Sequence, residues 1–269
     1  MQATDAGPTE APQESQQLPP SLTEDGFLGG RLSILQPEKG FRAGIDSVFL
    51  AAAIPCAEED TVFEAGIGTG VAALCLAARC KGVHVTGIEM ASRHVLLCEE
   101  NARRNGLDAQ LRVVHADVGE ALRSGIAGMP PRGVFRHAMA NPPFFDEGKS
   151  TPSPNLLKAQ SHGFGPEDLE AWIKLLHVML KPRGTLTLVH RAETLGQLLQ
   201  IMQQRFGDIR VAPLFPRAGA PASRILVQGI KGSRAPLKLL PGLVLHGDGN
   251  AFTPEADAVL RDGAAFPLR

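Results

Sequence analysis

The sequence predicts an α/β protein built on a seven-stranded, mostly parallel sheet with helices on both faces. Short apolar runs of strand length alternate with helical patterns along most of the chain, as in consecutive βαβ units. A glycine-rich turn joins the first of these strands to a helix, as in sheets that bind a ligand at the carboxyl ends of their strands. The last two apolar runs leave no room for a helix between them and therefore predict an antiparallel hairpin.

The elements that precede the sheet are short. Residues 1–25 are rich in Pro, Gln, Glu and Ser and hold only scattered apolar residues, which predicts a disordered tail. A glycine-broken apolar stretch from Phe27 predicts a hairpin, and Asp46 is placed to cap a helix that ends before Pro55. These two elements form a segment, residues 26–60, in front of the sheet.

The sheet itself is predicted within residues 61–235. Its first five strands are expected at Thr61–Ala65, Val83–Ile88, Leu111–His115, Val134–Ala140 and Thr185–His190. The helices between them are expected at Gly70–Cys80, at Ala91–Asn105, shortly after Asp117 and at Pro166–Leu180. A helix at Glu193–Arg205 and strands at Ile209–Phe215 and Arg224–Ile230 complete the predicted domain. Residues 236–269 predict a short strand and a helix packed on the sheet edge.

Composition restricts the class of protein. The chain has 269 residues, 43% of them hydrophobic, and no apolar run approaches the roughly 20 residues of a membrane span. The first residues do not form a basic start followed by an apolar run, so no signal peptide is predicted. The four cysteines lack metal-ligand spacing and are expected to be small buried apolar residues. The sequence therefore predicts a cytoplasmic globular protein with no metal and no membrane partner.

The charge distribution favours an anionic partner, although the net charge is only −1. Residues 1–30 carry five acidic residues and no Lys or Arg. Residues 181–241 carry ten basic and two acidic residues, a net charge of +8. Such an excess suits a surface that faces a polyanion such as nucleic acid. The alternative is a solvated surface whose charges point in several directions.

A glycine-rich loop, EAGIGTG, follows the first strand at residues 64–70. Glycine suits a turn where φ is positive and where a ligand approaches bare backbone. Glu89 ends the second strand, where its carboxylate can accept hydrogen bonds from both hydroxyls of a ribose. Both NAD and S-adenosylmethionine fit this pattern, and the glycines alone do not separate them. The alternative role for Glu89 is to cap the helix that follows.

The discriminating motif is Asn-Pro-Pro-Phe at residues 141–144, after the fourth strand of the sheet. Two consecutive prolines hold the chain extended, remove two backbone donors and leave carbonyl acceptors uncovered. Asn141 Oδ1 and the Pro142 carbonyl can accept both N–H groups of an exocyclic amine or amide, which favours a pyramidal, nucleophilic nitrogen. Phe144 offers a flat face to a planar substrate and a π cloud to a sulfonium cation. The alternative, a proline-stiffened loop with a buried aromatic residue, leaves Asn141 unexplained.

Together these motifs resemble those of class I S-adenosylmethionine-dependent methyltransferases acting on planar nitrogen. The seven strands, with a final hairpin, also follow the arrangement of that class. Over about residues 27–260 the chain is similar to the bacterial tRNA adenine N6-methyltransferases that modify the anticodon loop of a valine tRNA. The stretches that carry this similarity are GGRLSILQP, GFRAGIDSVFLA, NPPFF and AQSH.

The resemblance implies a Rossmann-like fold, S-adenosylmethionine as cofactor and tRNA as partner. It assigns cofactor binding to Glu64, Gly66, Ile67, Gly68, Gly70, Glu89, Met90, Asp117, Val118 and Asn141. It assigns the catalytic pocket for the target base to Asn141, Pro142, Pro143 and Phe144, with Phe145 beside them. The sequence departs from the family pattern at Glu64, where Asp is usual, and at Phe144, where Tyr is usual. Because Phe also occurs there in guanine N2-methyltransferases of ribosomal RNA, adenine is favoured over guanine but not fixed.

Other candidate substrate-binding residues lie outside these motifs. Arg42 is expected to bond the methionyl carboxylate or a substrate phosphate, and Asp46 to hold the cofactor or fix the loop. Their alternatives are a surface role for Arg42 and a helix N-cap for Asp46. His162 is placed on a loop where it can touch RNA, or is an exposed histidine without a catalytic role. Arg217 and Arg224 flank the final hairpin and are expected to contact phosphates.

The predicted reaction is methyl transfer from S-adenosylmethionine to adenine N6 of tRNA, with the base flipped into the proline pocket. Two rivals share the chemistry: N5-methylation of a protein glutamine, whose amide presents the same two N–H groups, and N2-methylation of a guanine in ribosomal RNA. A rival from another class is a non-catalytic or NAD-dependent α/β protein, against which the intact Asn-Pro-Pro-Phe motif argues. The oligomeric state is not predicted.

Overall fold

The computed structural model describes residues 18, 21–40, 42–125, 128–143 and 166–269. The first element is an antiparallel hairpin of strands β1 (Leu22–Phe27) and β2 (Leu32–Pro37). The predicted hairpin is confirmed, but the predicted boundary of the disordered tail at residue 25 is wrong because β1 begins at Leu22. The alternation of half-buried and exposed side chains in β1 lets this polar stretch pair as a strand.

A nine-stranded sheet follows the hairpin in the described part of the chain. Its strands are β3 (Thr61–Ala65), β4 (His84–Glu89), β5 (Leu111–His115), β6 (Phe135–Ala140), β7 (Leu180–Arg191), β8 (Phe206–Arg217), β9 (Arg224–Lys231), β10 (Lys238–Leu239) and β11 (Leu243–His246). The first seven lie in the order β5-β4-β3-β6-β7-β9-β8, and β10 and β11 both pair with β8. β9 runs antiparallel to β7 and β8, whereas the other pairs are parallel. The predicted seven-stranded sheet is confirmed, and two short edge strands extend it.

Helices cover both faces of the sheet. Those in the described residues are α1 (Ile45–Ala53), α2 (Val71–Arg79), α3 (Ser92–Arg104), α4 (Val118–Ser124), α5 (Pro166–Met179), α6 (Leu195–Met202) and α7 (Pro254–Asp262). One apolar cluster joins the hairpin, α1, α2, α3 and α7 to one face, and a second joins α4, α5 and α6 to the other. Across the ranges described above, no helix is long and apolar enough to cross a membrane.

Two asparagines of α3 fix the hairpin beside the glycine loop. The fully buried Asn101 accepts a hydrogen bond from the Leu35 N–H at 2.7 Å and donates to the carbonyls of Leu35 at 3.0 Å and Thr69 at 2.9 Å. Asn105, one turn later, makes the same pair of bonds with the backbone of Ser33 at 3.0 and 2.9 Å. Each amide completes β2 as a neighbouring strand would, so the hairpin and the loop hold one fixed arrangement.

The cysteines differ in part from the expectation. Cys75 and Cys98 are free and buried, as expected, whereas Cys56 and Cys80 form a disulfide. This pairing follows from the packing of α1 against α2, which brings the two Cα atoms to 6.5 Å of each other. A separation of 24 residues in the sequence does not reveal such a contact.

Residues 236–269 pack on the far sheet edge and on α1. Besides the two short strands on β8, the Phe266 N–H donates to the Ala52 carbonyl at 2.9 Å. The buried Leu268 accepts a hydrogen bond from Arg210 at 2.6 Å through its carbonyl. The end of the chain thus belongs to the same core as α1 and α7.

Candidate active site

The carboxyl ends of neighbouring parallel strands bring the predicted cofactor and base residues to one edge of the sheet. Glu64 lies in the last part of β3 and Gly66–Gly70 follow it, and Glu89 ends β4 and Met90 follows it. Asp117–Val118 follow β5 and Asn141–Pro143 follow β6. Phe144, Phe145 and His162 lie outside the described residues. Their predicted roles therefore stay predictions.

The glycine loop uses its glycines in conformations that other residues rarely adopt. Gly66, Gly68 and Gly70 have φ values of 65°, 58° and 88°. A Cβ atom on Gly66 would overlap the indole ring of Trp172, and one on Gly70 would lie 2.8 Å from Cys98 Sγ. Trp172 thus packs from α5 on the bare backbone of the loop, a contact that the sequence analysis missed.

Glu89 is held with its carboxylate in a fixed orientation. Its Oε2 accepts the Gly68 N–H at 3.0 Å and its Oε1 accepts the Ala91 N–H at 2.9 Å. Glu89 therefore bonds the loops on either side of it, and α3 has no side-chain cap. Each oxygen keeps acceptor capacity for a ribose hydroxyl. The neighbouring Met90 is 56% exposed and supplies an apolar surface next to this carboxylate.

Glu64 is a buried carboxyl group at the start of the loop, with only 3% of the residue exposed. Burial, and next the negative charge of Glu89, raise the pKa of Glu64 well above its usual value, although the Ala73 N–H acts in the opposite direction. No described residue bonds its Oε2. A cation next to Glu64 would stabilise its ionised form.

The side-chain oxygen of Asn141, Oδ1, is a buried hydrogen-bond acceptor that no donor among the described residues bonds. Asn141 follows β6 directly. Pro142 is buried and Pro143 half-buried, and neither carries a backbone N–H. A buried acceptor left unpaired costs about 1–3 kcal/mol. A substrate N–H that bonds Oδ1 would remove this cost, so the site is suited to an amine or amide donor.

Asp117 and Val118 begin α4. Asp117 is exposed and its Oδ1 accepts the Glu120 N–H at 3.0 Å, as an N-cap does. Val118 is buried in the apolar cluster below. Both lie at the sheet edge that carries the glycine loop, and their contact with a cofactor stays a prediction.

Asp46 and Arg224, two predicted substrate residues from distant parts of the chain, pair with each other. Arg224 Nε lies 2.8 Å from Asp46 Oδ2. The N-cap alternative for Asp46 is wrong, because α1 is capped at Gly44 and has no side-chain cap. Arg42 instead bonds Asp25 at 2.6 Å and the Pro37 carbonyl at 3.0 Å. These contacts with the hairpin agree with the alternative prediction, a surface role for Arg42.

The basic segment does not form one surface. β7 and β8 end at the sheet edge that carries the glycine loop, and the antiparallel β9 begins there. Arg191, Arg217 and Arg224 therefore lie at this edge. The other seven cations of the segment lie at or towards the opposite edge. Arg217 also donates to the Gly247 carbonyl at 3.0 Å and to Asn250 Oδ1 at 3.2 Å. The charges of this segment therefore point in several directions, as in the alternative prediction, and only part of the excess lies at the edge of the glycine loop.

The described residues fit a sulfonium nucleoside cofactor. Glu89 would bind the ribose hydroxyls, Met90 would contact the base, and the loop with Glu64 would hold the charged end. None of the groups of His, Cys, Asp and Glu in the described ranges has the arrangement of a metal site.

The comparison with known proteins decides between the cofactor classes. The family model described as "Methyltransferase small domain" matches residues 42–159, which include the glycine loop and Asn141. The match covers less than half of the chain and supports an S-adenosylmethionine-dependent methyltransferase. S-adenosylmethionine is therefore its cofactor, and the NAD alternative falls away.

Two relatives and one solved structure illustrate the similarity. A tRNA1(Val) (adenine(37)-N6)-methyltransferase of Shewanella baltica is 26% identical over 188 residues, 70% of this chain and 76% of the relative. One of Dickeya chrysanthemi is 24% identical over 256 residues, 92% of this chain and 97% of the relative. The crystal structure of a predicted O-methyltransferase, protein Atu636 of Agrobacterium tumefaciens, aligns with a TM-score of 0.69 at 25% identity, covering 82% and 98% of the two chains.

The raised pKa of Glu64 predicts a pH dependence of the methyltransferase's stability. Between the ordinary glutamate pKa and the raised one, the folded protein binds more protons than the unfolded chain, so stability falls as pH rises. Each unit of pKa difference corresponds to about 1.4 kcal/mol. Glu64→Gln should therefore raise the melting temperature of the cofactor-free protein at pH 7–8 and flatten its decline from pH 5 to 8, while weakening cofactor binding.

Thermal melts between pH 5 and 8, with and without S-adenosylhomocysteine, check this prediction. Glu120→Gln, which changes an exposed acid at the same sheet edge, is the matched control and should leave both quantities unchanged. A Glu64→Gln variant that melts below the wild type at pH 8 would contradict a raised pKa of the buried Glu64.

Proposed function

We propose that this methyltransferase methylates the N6 nitrogen of an adenine in the anticodon loop of a tRNA. The observation that carries the proposal is the buried Oδ1 of Asn141, which has no hydrogen-bond partner among the described residues and is followed by two prolines at the edge of the glycine loop. A site with acceptors and no donors selects a group with two N–H bonds. Adenine N6 is such a group.

The chain's residues would activate this nitrogen by hydrogen bonding. The N6 lone pair is delocalised into the adenine ring, which makes the planar amine a poor nucleophile. Asn141 Oδ1 and the Pro142 carbonyl would each accept one N–H, a geometry that favours a pyramidal nitrogen with its lone pair directed out of the pair of bonds. S-adenosylmethionine supplies an electrophilic methyl group when bound. The methylated amine loses its extra proton readily, so the site needs no positioned base.

Positioning provides most of the expected rate enhancement. The target base has to leave its stack in the loop to reach the edge of the sheet, as in other enzymes that act on a base. Asn101 bonds both strand β2 and the Thr69 carbonyl, so the hairpin lies beside the glycine loop. The hairpin would limit the approach to an extruded base.

The relatives support RNA as the substrate. Two proteins named for N6-methylation of adenine 37 in tRNA1(Val) align with 70% and 92% of this chain. A tRNA substrate would also place the enzyme in the cytoplasm. Guanine N2 in ribosomal RNA and glutamine N5 in a protein present the same pair of N–H groups to Asn141 and stay the alternatives.

The test is mass spectrometry of nucleosides from tRNA of a strain that lacks this gene and of its parent. We expect loss of N6-methyladenosine from one tRNA, restored by the wild-type gene but not by an Asn141→Ala copy. Loss of N2-methylguanosine from ribosomal RNA, or of N5-methylglutamine from a protein, would replace adenine with that substrate.

A further inference from the structure

A groove lies at the sheet edge opposite the glycine loop, where β7 and β8 begin and β9 ends. It consists of two neighbouring cavities of about 390 and 310 Å³. The first is lined by His177, Arg183, Gln204, Arg205 and Lys231. The second is lined by Gln203, Phe206, Ser233, Arg234 and Leu237. We refer to these ten residues as the basic groove.

Two of its cations are fixed by their own partners. Lys231 Nζ donates to the carbonyls of His177 at 2.7 Å and Leu180 at 2.6 Å, and so satisfies the end of α5. Arg205 bonds Glu170 at 3.2 Å. Burial, followed by the charges of Lys231 and Arg205, lowers the pKa of His177, so its ring is neutral at pH 7. These groups set a positive potential without being free to move.

The other two cations, Arg183 and Arg234, are exposed. Within the described ranges neither forms a salt bridge or a side-chain hydrogen bond. The nearby Asp208 is already paired with Arg210 at 2.7 Å, and its pKa is lowered by that bond and by Lys238 and Arg183. The groove thus carries positive charge that the described acidic side chains do not neutralise.

Arg183 also has an unusual backbone conformation. Its φ is 65°, a left-handed conformation that favours glycine and is strained for a residue with a Cβ atom. The guanidinium of Arg136 bonds its carbonyl at 3.4 Å. A strained, exposed arginine beside a cavity is a candidate for binding, because an exposed side chain offers no burial that offsets the backbone strain.

We propose that the basic groove binds the sugar–phosphate backbone of the tRNA, away from the target base; this rests on the proposed function. Two adjoining cavities, each with one unpaired arginine, suit consecutive phosphates better than a single phosphate. The part of β7 from Thr185 to Arg191 separates the groove from the active-site edge by about 20 Å at roughly 3.3 Å per residue. The bound backbone therefore belongs to a region of the tRNA outside the anticodon loop.

The test compares full-length unmodified tRNA with its isolated anticodon stem–loop. Arg183→Gly removes the charge and relieves the backbone strain, so its melting temperature should not fall. Together with Arg234→Ala it should weaken binding of the full tRNA about tenfold and lower the slope of log affinity against log salt by about one to two. Binding of the stem–loop, binding of S-adenosylhomocysteine and kcat at saturating tRNA should not change.

Lys81→Ala is the matched control. Lys81 is exposed at the same sheet edge, in front of β4 on the far side of the sheet, and should affect none of these quantities. If the double variant binds full tRNA with unchanged affinity and an unchanged salt slope, and still transfers methyl groups, only the proposal for the basic groove is overturned. Inorganic pyrophosphate is titrated into the wild type and the double variant as a further probe. If the double variant loses pyrophosphate binding but keeps tRNA binding, the RNA assignment is overturned in favour of a small phosphorylated ligand. If the wild-type protein transfers no methyl group from S-adenosylmethionine to tRNA, the proposed function is overturned, and the proposal for the basic groove is overturned with it.

Discussion

Replacement of Asn141 by alanine is expected to slow methyl transfer by about two to four orders of magnitude, with little change in cofactor affinity. The variant loses the acceptor that is proposed to bond the reacting nitrogen in the transition state. Because Oδ1 has no partner among the described residues, its removal should not lower the melting temperature. Single-turnover transfer to the true substrate, together with titration of S-adenosylhomocysteine, measures both quantities.

Glu89→Ala is the complementary control for Asn141. It removes the carboxylate at the end of β4 that is predicted to bind the ribose, and it should weaken cofactor binding strongly. The two variants should therefore separate chemistry from cofactor affinity. Near-normal turnover in the Asn141 variant would show that the nitrogen is activated by other groups.

Replacement of Asn101 by alanine is expected to lower the free energy of unfolding by about 2–4 kcal/mol. The change leaves the Leu35 N–H and the carbonyls of Leu35 and Thr69 without their present partner, and each buried unpaired group costs about 1–3 kcal/mol unless water reaches it. Loss of the bond to Thr69 should also loosen the glycine loop and weaken cofactor binding.

Urea denaturation and cofactor titration measure the two effects of Asn101→Ala. Asn105→Ala is the matched control, since the half-buried Asn105 makes the same pair of contacts with β2 but, among the described residues, no hydrogen bond with the glycine loop. We expect a smaller loss of stability and no loss of cofactor affinity in it. Equal effects in the two variants would contradict a special role of Asn101.

The sheet and the strand ends could be predicted because local pattern determines them. Thr61–Ala65 is a strand in the prediction and in the structure, since its apolar run is bounded by polar residues and by the glycine turn. Glu89 and Asn141 were found for the same reason: parallel strands bring their carboxyl ends together. The residues that end these strands therefore define the candidate site.

Contacts between distant segments could not be predicted in this way. Trp172 packs on Gly66 only because α5 crosses the end of β3, and no local pattern gives that crossing. The basic residues divide between two sheet edges because β9 reverses direction, whereas a charge count along the chain treats them as one group. Asn101 and Asn105 did carry a signal, since residues four apart lie on one face of a helix.

Methyl transfer in vitro tests the proposed adenine N6 substrate most directly. Purified protein is incubated with S-adenosylmethionine that carries an isotopically heavy methyl group. The reaction contains a mixture of unmodified tRNA, ribosomal RNA and cell protein. The products are then digested and analysed by mass spectrometry. We expect heavy N6-methyladenosine in an anticodon-loop fragment of one tRNA, and none when Asn141 is replaced. Heavy label in N2-methylguanosine or in a protein glutamine, with none in adenosine, would contradict the proposed substrate.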